Sequence, residues 1–290
     1  MCRGKIKCRK VLNKIYSVIK GSWPNPQLAP TSPARLPAVE PSTSVANIKI
    51  IAVIAVQNEE KYLPGFFAHL RDYVDGFVVL DDGSTDKTLD IIKQEKKLCK
   101  VFVNKPHGPE GWDEKGNRIR MLQEAKKHGN VVLCCDADER FEINFLHNLR
   151  KISLQASEKK QKTFGLHVRE IWDNPFQYRC DGVWDTKSKY ILFSLEPHMI
   201  FDATMPQKHH IPWYHDTVNE FEILEYNIYH LKMLEHEDRV KRVELYEKLD
   251  PEHKMQSIGY AYLVDCCGIE LCQISEEKKY DYETLPKNIV

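Results

Sequence analysis

No stretch of this sequence is apolar for long. The longest such run, Ile50 to Val56, has seven residues, whereas a membrane-crossing helix needs about 20. The N-terminus also lacks the unbroken apolar core of a signal peptide. There is no Asn-x-Ser/Thr sequon, and none of the nine cysteines stands in a Cys-x-x-Cys pair. Both absences favour a reducing cytosol over secretion, and the second removes a common zinc-binding pattern. No Gly-x-Gly-x-x-Gly follows the first apolar run, which argues against a nicotinamide-dependent oxidoreductase. The Gly-rich, Arg- or Lys-bearing phosphate loop of a sugar nucleotidyltransferase is missing there too. No internal repeat is present.

Acidic residues are absent from residues 1–39, which carry eight Lys or Arg, seven of them in the first twenty positions. The formal net charge of zero therefore hides an acidic body, where 34 basic residues face all 42 acidic ones. Such a body is unsuited to general nucleic-acid binding, whose affinity comes mainly from neutralising phosphates. Within residues 1–21, Cys8, Val11, Leu12, Ile15, Tyr16, Val18 and Ile19 recur at helical spacing against a basic face. Three readings stand side by side: a helix docking on anionic membrane, a solvated basic tail, and an organelle-targeting peptide. Six of the fifteen prolines lie in 22–41, so this stretch is a linker. The expected division is a basic amphipathic segment at 1–21, a Pro-rich linker at 22–46, one domain at 47–270 and a tail at 271–290. The expected location is cytoplasmic, membrane-peripheral under the first of the three readings.

From Ile48 the pattern alternates between strand and helix. Ile50–Val56, Phe77–Leu80, Val101–Val103 and Val131–Cys135 read as strands. Helices are expected from the apolar face of Leu63, Phe66, Phe67, Leu70 and Val74, and over about 86–97 and 113–127. Such alternation implies a mostly parallel sheet flanked on both faces by helices. A helix marked by Phe141, Phe145, Leu149 and Ile152 comes next. Strand candidates near 164–172, 190–195 and 223–231 then precede a last helix over about 235–248.

Two acidic clusters end apolar strands: Asp81-Asp82-Gly83-Ser84-Thr85-Asp86 and Asp136-Ala137-Asp138-Glu139. Carboxylates at such strand ends gather at one edge of a parallel sheet. In an extended backbone Asp136 and Asp138 leave the same face and can share one hard cation. Ser84 or Thr85 ahead of Thr88, Leu89, Ile91 and Ile92 is a helix-capping signal. A nucleoside diphosphate and its metal fit such an edge.

With Asn58-Glu59-Glu60-Lys61-Tyr62-Leu63-Pro64 after the first strand, these elements resemble the family-2 glycosyltransferases of the GT-A fold. The likeness covers about residues 48–262 and includes the order and spacing of the three motifs. One departure is Ala55, where the family often has a proline ahead of Asn-Glu-Glu. The resemblance implies a mostly parallel α/β sheet flanked by helices, and a nucleoside-diphosphate sugar donor, UDP-linked, bound with Mn2+ or Mg2+. It further implies inverting transfer to a glycan or other hydroxyl acceptor. The alternatives are a non-catalytic carbohydrate- or nucleotide-binding protein on a degenerate version of that fold, and a sugar nucleotidyltransferase.

Under the resemblance Asn58, Glu59, Asp81 and Asp82 lie at the nucleotide, where an ionised Asp can accept the uracil N–H and ribose hydroxyls. Gly83 would let the backbone pass beneath the base. Arg118 matches an arginine that approaches the diphosphate. Asp136 reaches the ribose or sugar or joins Asp138 at the metal, and Asp138 is the more direct ligand. His230 is a candidate metal-shell histidine, and neutral imidazole suits manganese. For the base that deprotonates the acceptor, Asp216 fits the expected distance along the chain, with Asp181 and Asp185 as rivals. The stretch 208–215, with three histidines, Trp213 and Tyr214, is a candidate acceptor loop.

Overall fold

A strand with no polar residue in it needs cover on both faces, and Ile50–Val56 has it. The computed structural model describes residues 47–108, 111, 113–159, 162–196, 213, 220–254, 256–265, 268–287 and 289. The expected segments at 1–21 and 22–46 lie outside these residues. The strands and α-helices, in chain order, begin with β1 (Ile50–Val56), α1 (Leu63–Leu70), β2 (Gly76–Asp81), α2 (Thr88–Lys93) and β3 (Leu98–Val103). Next come α3 (Glu114–Ala125), β4 (Val131–Cys135), β5 (Glu139–Phe141), α4 (Ile143–Glu158) and β6 (Lys162–Trp172). The last are β7 (Asn174–Arg179), β8 (Ser188–Ser194), β9 (Glu220–His230), α5 (His236–Leu249) and β10 (Leu271–Gln273).

The chain divides into two compact units. The larger takes the described residues up to Val168, Ser188–His230 and those from Ser275 onward; the smaller takes Arg169–Lys187 and Leu231–Ile274. This division differs from the expected 47–270 domain with a 271–290 tail.

In the larger unit β3, β2, β1 and β4 are mutually parallel neighbours, and β8 and then β6 continue the sheet antiparallel beyond β4. The mostly parallel α/β sheet is thus present, with antiparallel additions. One face buries Ile51, Val53, Val78, Leu80, Val132 and Cys134 against Met121, Leu122 and Ala125 of α3. On the other, Phe77 stands edge-on to Phe66 and Phe67 of α1. Asp113 caps α3, its carboxylate accepting the Gly116 N–H at 3.0 Å.

The strand order 3-2-1-4 reverses direction at β1. Adjacent β1 and β4 therefore deliver their carboxyl ends to the crevice where doubly wound sheets bind ligands. β5, too short to stand out as a strand in the sequence, pairs antiparallel with β9, setting Glu139 opposite His230.

The smaller unit is built on aromatics. Trp172, Trp184, Met233, Tyr260 and Leu263 form its core. The Arg179 guanidinium lies 4.8 Å from the Trp172 ring centre and 4.9 Å from that of Trp184, and Arg239 lies 4.2 Å from Trp172. β7 pairs antiparallel with β10 and with the end of β6, and a disulfide joins Cys180 to Cys272. Cys-x-x-Cys counting could not see it, because the two cysteines are 92 residues apart.

Candidate active site

The loop after β1 and the turn after β2 are laced together by hydrogen bonds. Asn58 N–H donates to Ser84 Oγ (2.9 Å), Thr85 N–H to Asn58 Oδ1 (2.8 Å), and Glu59 N–H to Thr88 Oγ1 (2.8 Å). Lys87 N–H donates to Glu60 Oε2 at 3.0 Å. Asn58 takes a left-handed backbone (φ 56°), which Asn tolerates better than most side chains. Ser84 and Thr85 therefore do not cap α2 as expected. Asp86 instead accepts the Thr88 N–H at 2.9 Å at the start of that helix. Gly83 is needed for a neighbouring loop: with φ at 80°, a Cβ there would sit 2.6 Å from the Lys105 carbonyl oxygen.

Asp81 and Asp82 are both buried. Asp81 Oδ1 accepts the Ser84 N–H at 2.9 Å. Asp82 Oδ1 accepts from Asn104 Nδ2 at 2.6 Å and faces His107 Nε2 at 3.1 Å. Asn104 in turn donates to Asn117 and accepts from Arg120. Asp82 is thus held from one side by a polar network that no local motif announced. Arg118 pairs with Glu114 one helical turn away and stacks 4.4 Å from the Trp213 ring centre.

At the second cluster the extended geometry fails. Residues 137 and 138 form a turn, closed by Glu139 N–H donating to the Asp136 carbonyl at 3.1 Å. The two aspartates consequently meet different partners. Half-exposed Asp136 receives Lys189 Nζ on Oδ2 at 2.7 Å, and its N–H donates to Glu139 Oε2 at 2.8 Å. Lys189 Nζ also lies 2.7 Å from Glu139 Oε1. Buried Asp138 meets His230, with Oδ2 and Nε2 3.1 Å apart. A carboxylate only accepts, so Nε2 carries the proton in that contact.

Burial pushes the Glu139 carboxyl up to about 7, against the pull of Lys189. For Lys189 burial works the other way, and Asp136 and Glu139 more than offset it, holding the amine charged above its ordinary range.

Beneath this turn lies Arg140, fully buried. Its Nη1 donates to the carbonyls of Ala137 (3.1 Å) and Glu139 (2.8 Å), and its Nη2 to those of Tyr62 (3.1 Å) and Thr284 (2.9 Å). Burial lowers its pKa to about 10, which still leaves it charged at neutral pH. Gly65 makes room: a Cβ there would stand 1.9 Å from the Thr284 carbonyl oxygen and 2.7 Å from Arg140 Nη2.

Buried His69 accepts the Phe141 N–H on Nε2 at 2.8 Å, so its ring is neutral with the proton on Nδ1. Burial first, and the Arg140 charge second, bring its pKa from 6.5 down to about 3. The unfolded chain takes up this proton below about 6.5 while the folded chain does not. This contribution to stability is therefore complete above about pH 6.5. It falls by about 1.4 kcal/mol per pH unit as pH drops toward 3. His69→Gln keeps an acceptor for Phe141 but cannot titrate, so the wild-type protein should lose stability faster than this variant on acidification. Urea midpoints at pH 7, 6 and 5 measure the difference; parallel curves would refute the assignment.

Of the residues expected at the site, Asp136 and Asp138 are brought to the β4 end, and Asp138 meets His230. Asn58, Glu59, Asp81 and Asp82 surround the ends of β1 and β2. Asp181 belongs to the smaller unit, where Arg179 grips both its oxygens (2.7 and 3.0 Å), and Asp185 pairs there with Arg169. Asp216, and the 208–215 stretch apart from Trp213, lie outside the described residues. Among the described residues no three His, Cys, Asp or Glu side chains converge as a ready-made metal cluster. Sequence reasoning missed Lys189, though the β4–β8 register finds it. Leu133 pairs with Leu192, so three steps further on Asp136 falls opposite Lys189.

No curated protein matches the chain. Among solved structures, a GalNAc-T7 complex with UDP, GalNAc and Mn2+ is 23% identical, covering 43% of this chain and 24% of its own, with a TM-score of 0.35. S. aureus TarS 1-349 is 16% identical over 69% of this chain and 66% of its own, with a TM-score of 0.41. Glucosyl-3-phosphoglycerate synthase from Mycobacterium tuberculosis, in complex with Mn2+, UDP-glucose and phosphoglyceric acid, is 23% identical, covering 44% and 45%, with a TM-score of 0.31. The chain spans less than two thirds of the length of each. At these scores none of the three carries an assignment. The profile of Glycosyl transferase family 2, however, matches residues 51–196, just over half of the chain, taking in all three motifs. The chain belongs to glycosyl transferase family 2.

Proposed function

We propose that this protein is a divalent-metal-dependent glycosyltransferase that moves a sugar from a UDP-linked donor to a hydroxyl acceptor with inversion. The observation that carries the metal reading is the meeting of Asp138 and His230 at 3.1 Å, although 92 residues separate them. One carboxylate and one imidazole suit manganese better than magnesium, which prefers oxygen ligands throughout. Asp138 and His230 would hold the cation, and donor oxygens and water would complete its shell. Bound there, it would neutralise charge on the departing diphosphate.

The protein's own groups perform the remaining work. Asp82, held through Oδ1 by Asn104 and facing His107, offers an acceptor to the imide N–H of uracil. Half-exposed Asp136 offers one to a ribose or sugar hydroxyl. In the transfer, the acceptor oxygen bonds to the anomeric carbon as the bond from that carbon to the diphosphate breaks. The acceptor's proton passes to a carboxylate base, for which Asp216 is our candidate.

A thermal-shift panel of nucleotide sugars, with and without Mn2+, tests the reading. A UDP-sugar near 100 times its Kd should stabilise the fold by about 2.7 kcal/mol, provided the metal is present. Equal shifts with and without metal would refute metal dependence. Equal shifts for UDP-, GDP- and CMP-sugars would refute the uridine preference.

A further inference from the structure

The segment expected as a tail returns, from Ser275 onward, to the larger unit. There residues 277–285 grip the short β5–β9 ladder and its surroundings at several points. The Glu277 carbonyl accepts from Asn144 Nδ2 (2.7 Å) and the Lys279 carbonyl from the Ile143 N–H (3.0 Å), both at the start of α4. The Lys278 carbonyl accepts the Tyr229 hydroxyl at 2.5 Å, and the buried Tyr280 ring lies 4.9 Å from that of Tyr229. Asp281 caps a single turn, its carboxylate accepting the Glu283 N–H at 3.1 Å, and this turn presents Thr284 to Arg140. Thr284 Oγ1 accepts from Arg140 Nε at 3.0 Å, and the Thr284 carbonyl from Nη2 at 2.9 Å.

Arg140 and Tyr229 are the immediate neighbours of the pair at the site. They face each other in the β5–β9 register, one step from Glu139 and His230. Arg140 Nη1 holds the carbonyls of Ala137 and Glu139, which flank Asp138 on either side. Tyr229 directly precedes His230. One segment therefore holds both the residue that grips the Asp138 turn and the residue next to His230. Burial opposes the Arg140 charge, while Asp138 of the turn and Asp281 of the strap both favour it. Neither 277–285 nor β9 lies within the residues that the family profile matches.

We propose that residues 277–285 are a positioning strap which, acting through Arg140 and Tyr229, sets Asp138 against His230. That this pair binds a metal rests on the reading above; its dependence on the strap does not.

Gly65→Ala probes the strap without taking anything from it, because the new Cβ would stand 1.9 Å from the Thr284 carbonyl oxygen and force a shift there. Tyr280→Ala removes the ring packed on Tyr229, and Thr284→Val the oxygen that accepts from Arg140 Nε. Leu122→Ala, in the core beside α3, is the control for lost melting temperature. In the metal-free full chain, the imidazole nitrogen resonances of His230, assigned by their loss in His230→Gln, report whether Nε2 still meets Asp138. They should move toward their positions in Asp138→Asn in all three strap variants, and stay in place in Leu122→Ala. Calorimetric titration should then show Mn2+ binding about tenfold weaker in the strap variants and unchanged in Leu122→Ala, since groups that orient metal ligands typically contribute about 10- to 100-fold in affinity. Should Tyr280→Ala not fold, Gly65→Ala and Thr284→Val carry the comparison. Resonances that stay in place in the strap variants, or move as much in Leu122→Ala, would make the strap merely structural and overturn the proposal. Moved resonances in a protein whose wild type binds no Mn2+ would overturn the metal reading and keep the strap. Moved resonances with unchanged Mn2+ affinity would do the same, because the cation would then bind away from this pair.

Discussion

Replacing Asp138 by Asn should reduce sugar transfer on the order of 100-fold or more, while the melting temperature moves by only a few degrees. The Asn side chain has the same shape and can still accept from His230 Nε2 across the 3.1 Å contact. The folded geometry therefore has a reason to survive. What disappears is a negative charge that would hold a cation at the departing diphosphate, and such transition-state contacts typically contribute about 100- to 1000-fold in rate. The loss should appear in kcat/KM at saturating Mn2+, and added Mn2+ should recover only part of it. Full turnover by purified Asp138→Asn protein would remove Asp138 from the metal site. His230→Ala should act in the same direction more weakly, since one carboxylate would remain.

Arg140→Met should be the most destabilising single change in the larger unit, with a loss of about 4 kcal/mol or more. The guanidinium donates to four backbone carbonyls, those of Tyr62, Ala137, Glu139 and Thr284, in a setting closed to water. Each buried acceptor left without a donor costs about 1–3 kcal/mol. A methionine would relieve the cost of burying a charge, which works in the opposite direction. Four orphaned carbonyls outweigh that gain, and buried Asp138, whose negative charge favours the charged guanidinium, would lose a neighbouring cation as well. A domain of this kind has a total stability of about 5–15 kcal/mol, so the variant should be recovered in low yield or largely unfolded. Arg140→Lys supplies three donors in place of a planar fork and should fall between the two. Urea unfolding measures the series. A loss below about 1 kcal/mol for Arg140→Met would mean that the turn holds its shape without the guanidinium. Asp138 would then be positioned chiefly by β5 and β9.

Much of the fold was legible locally. The parallel strands β1, β2 and β4 are buried on both faces and so appear in the sequence as unbroken apolar runs. Their acidic ends follow from the same logic, because the carboxyl edge of such a sheet is where solvent and ligand reach the backbone. Helix boundaries were less legible. The helix expected over 86–97 is only Thr88–Lys93, since Ser84 and Thr85 are used to bind the neighbouring loop. β5 and β10, at three residues each, are too short for any period to show, and their pairing partners define them.

The sequence by itself determined the family, the run of strands and helices through the first half of the domain, and which carboxylates stand at the sheet edge. Each of these rests on residues within a few positions of one another, where hydrophobic period and turn chemistry act. Only the tertiary structure decided which partner each carboxylate meets. The turn at Ala137 and Asp138 sends two apparently equivalent aspartates to different partners. Asp136 goes to a lysine 53 residues on and Asp138 to a histidine 92 residues on. Cys180 and Cys272 likewise meet across 92 residues. Strand register sets these meetings, and register is chosen by the packing of whole faces against one another. No window of sequence around Asp136 contains that information.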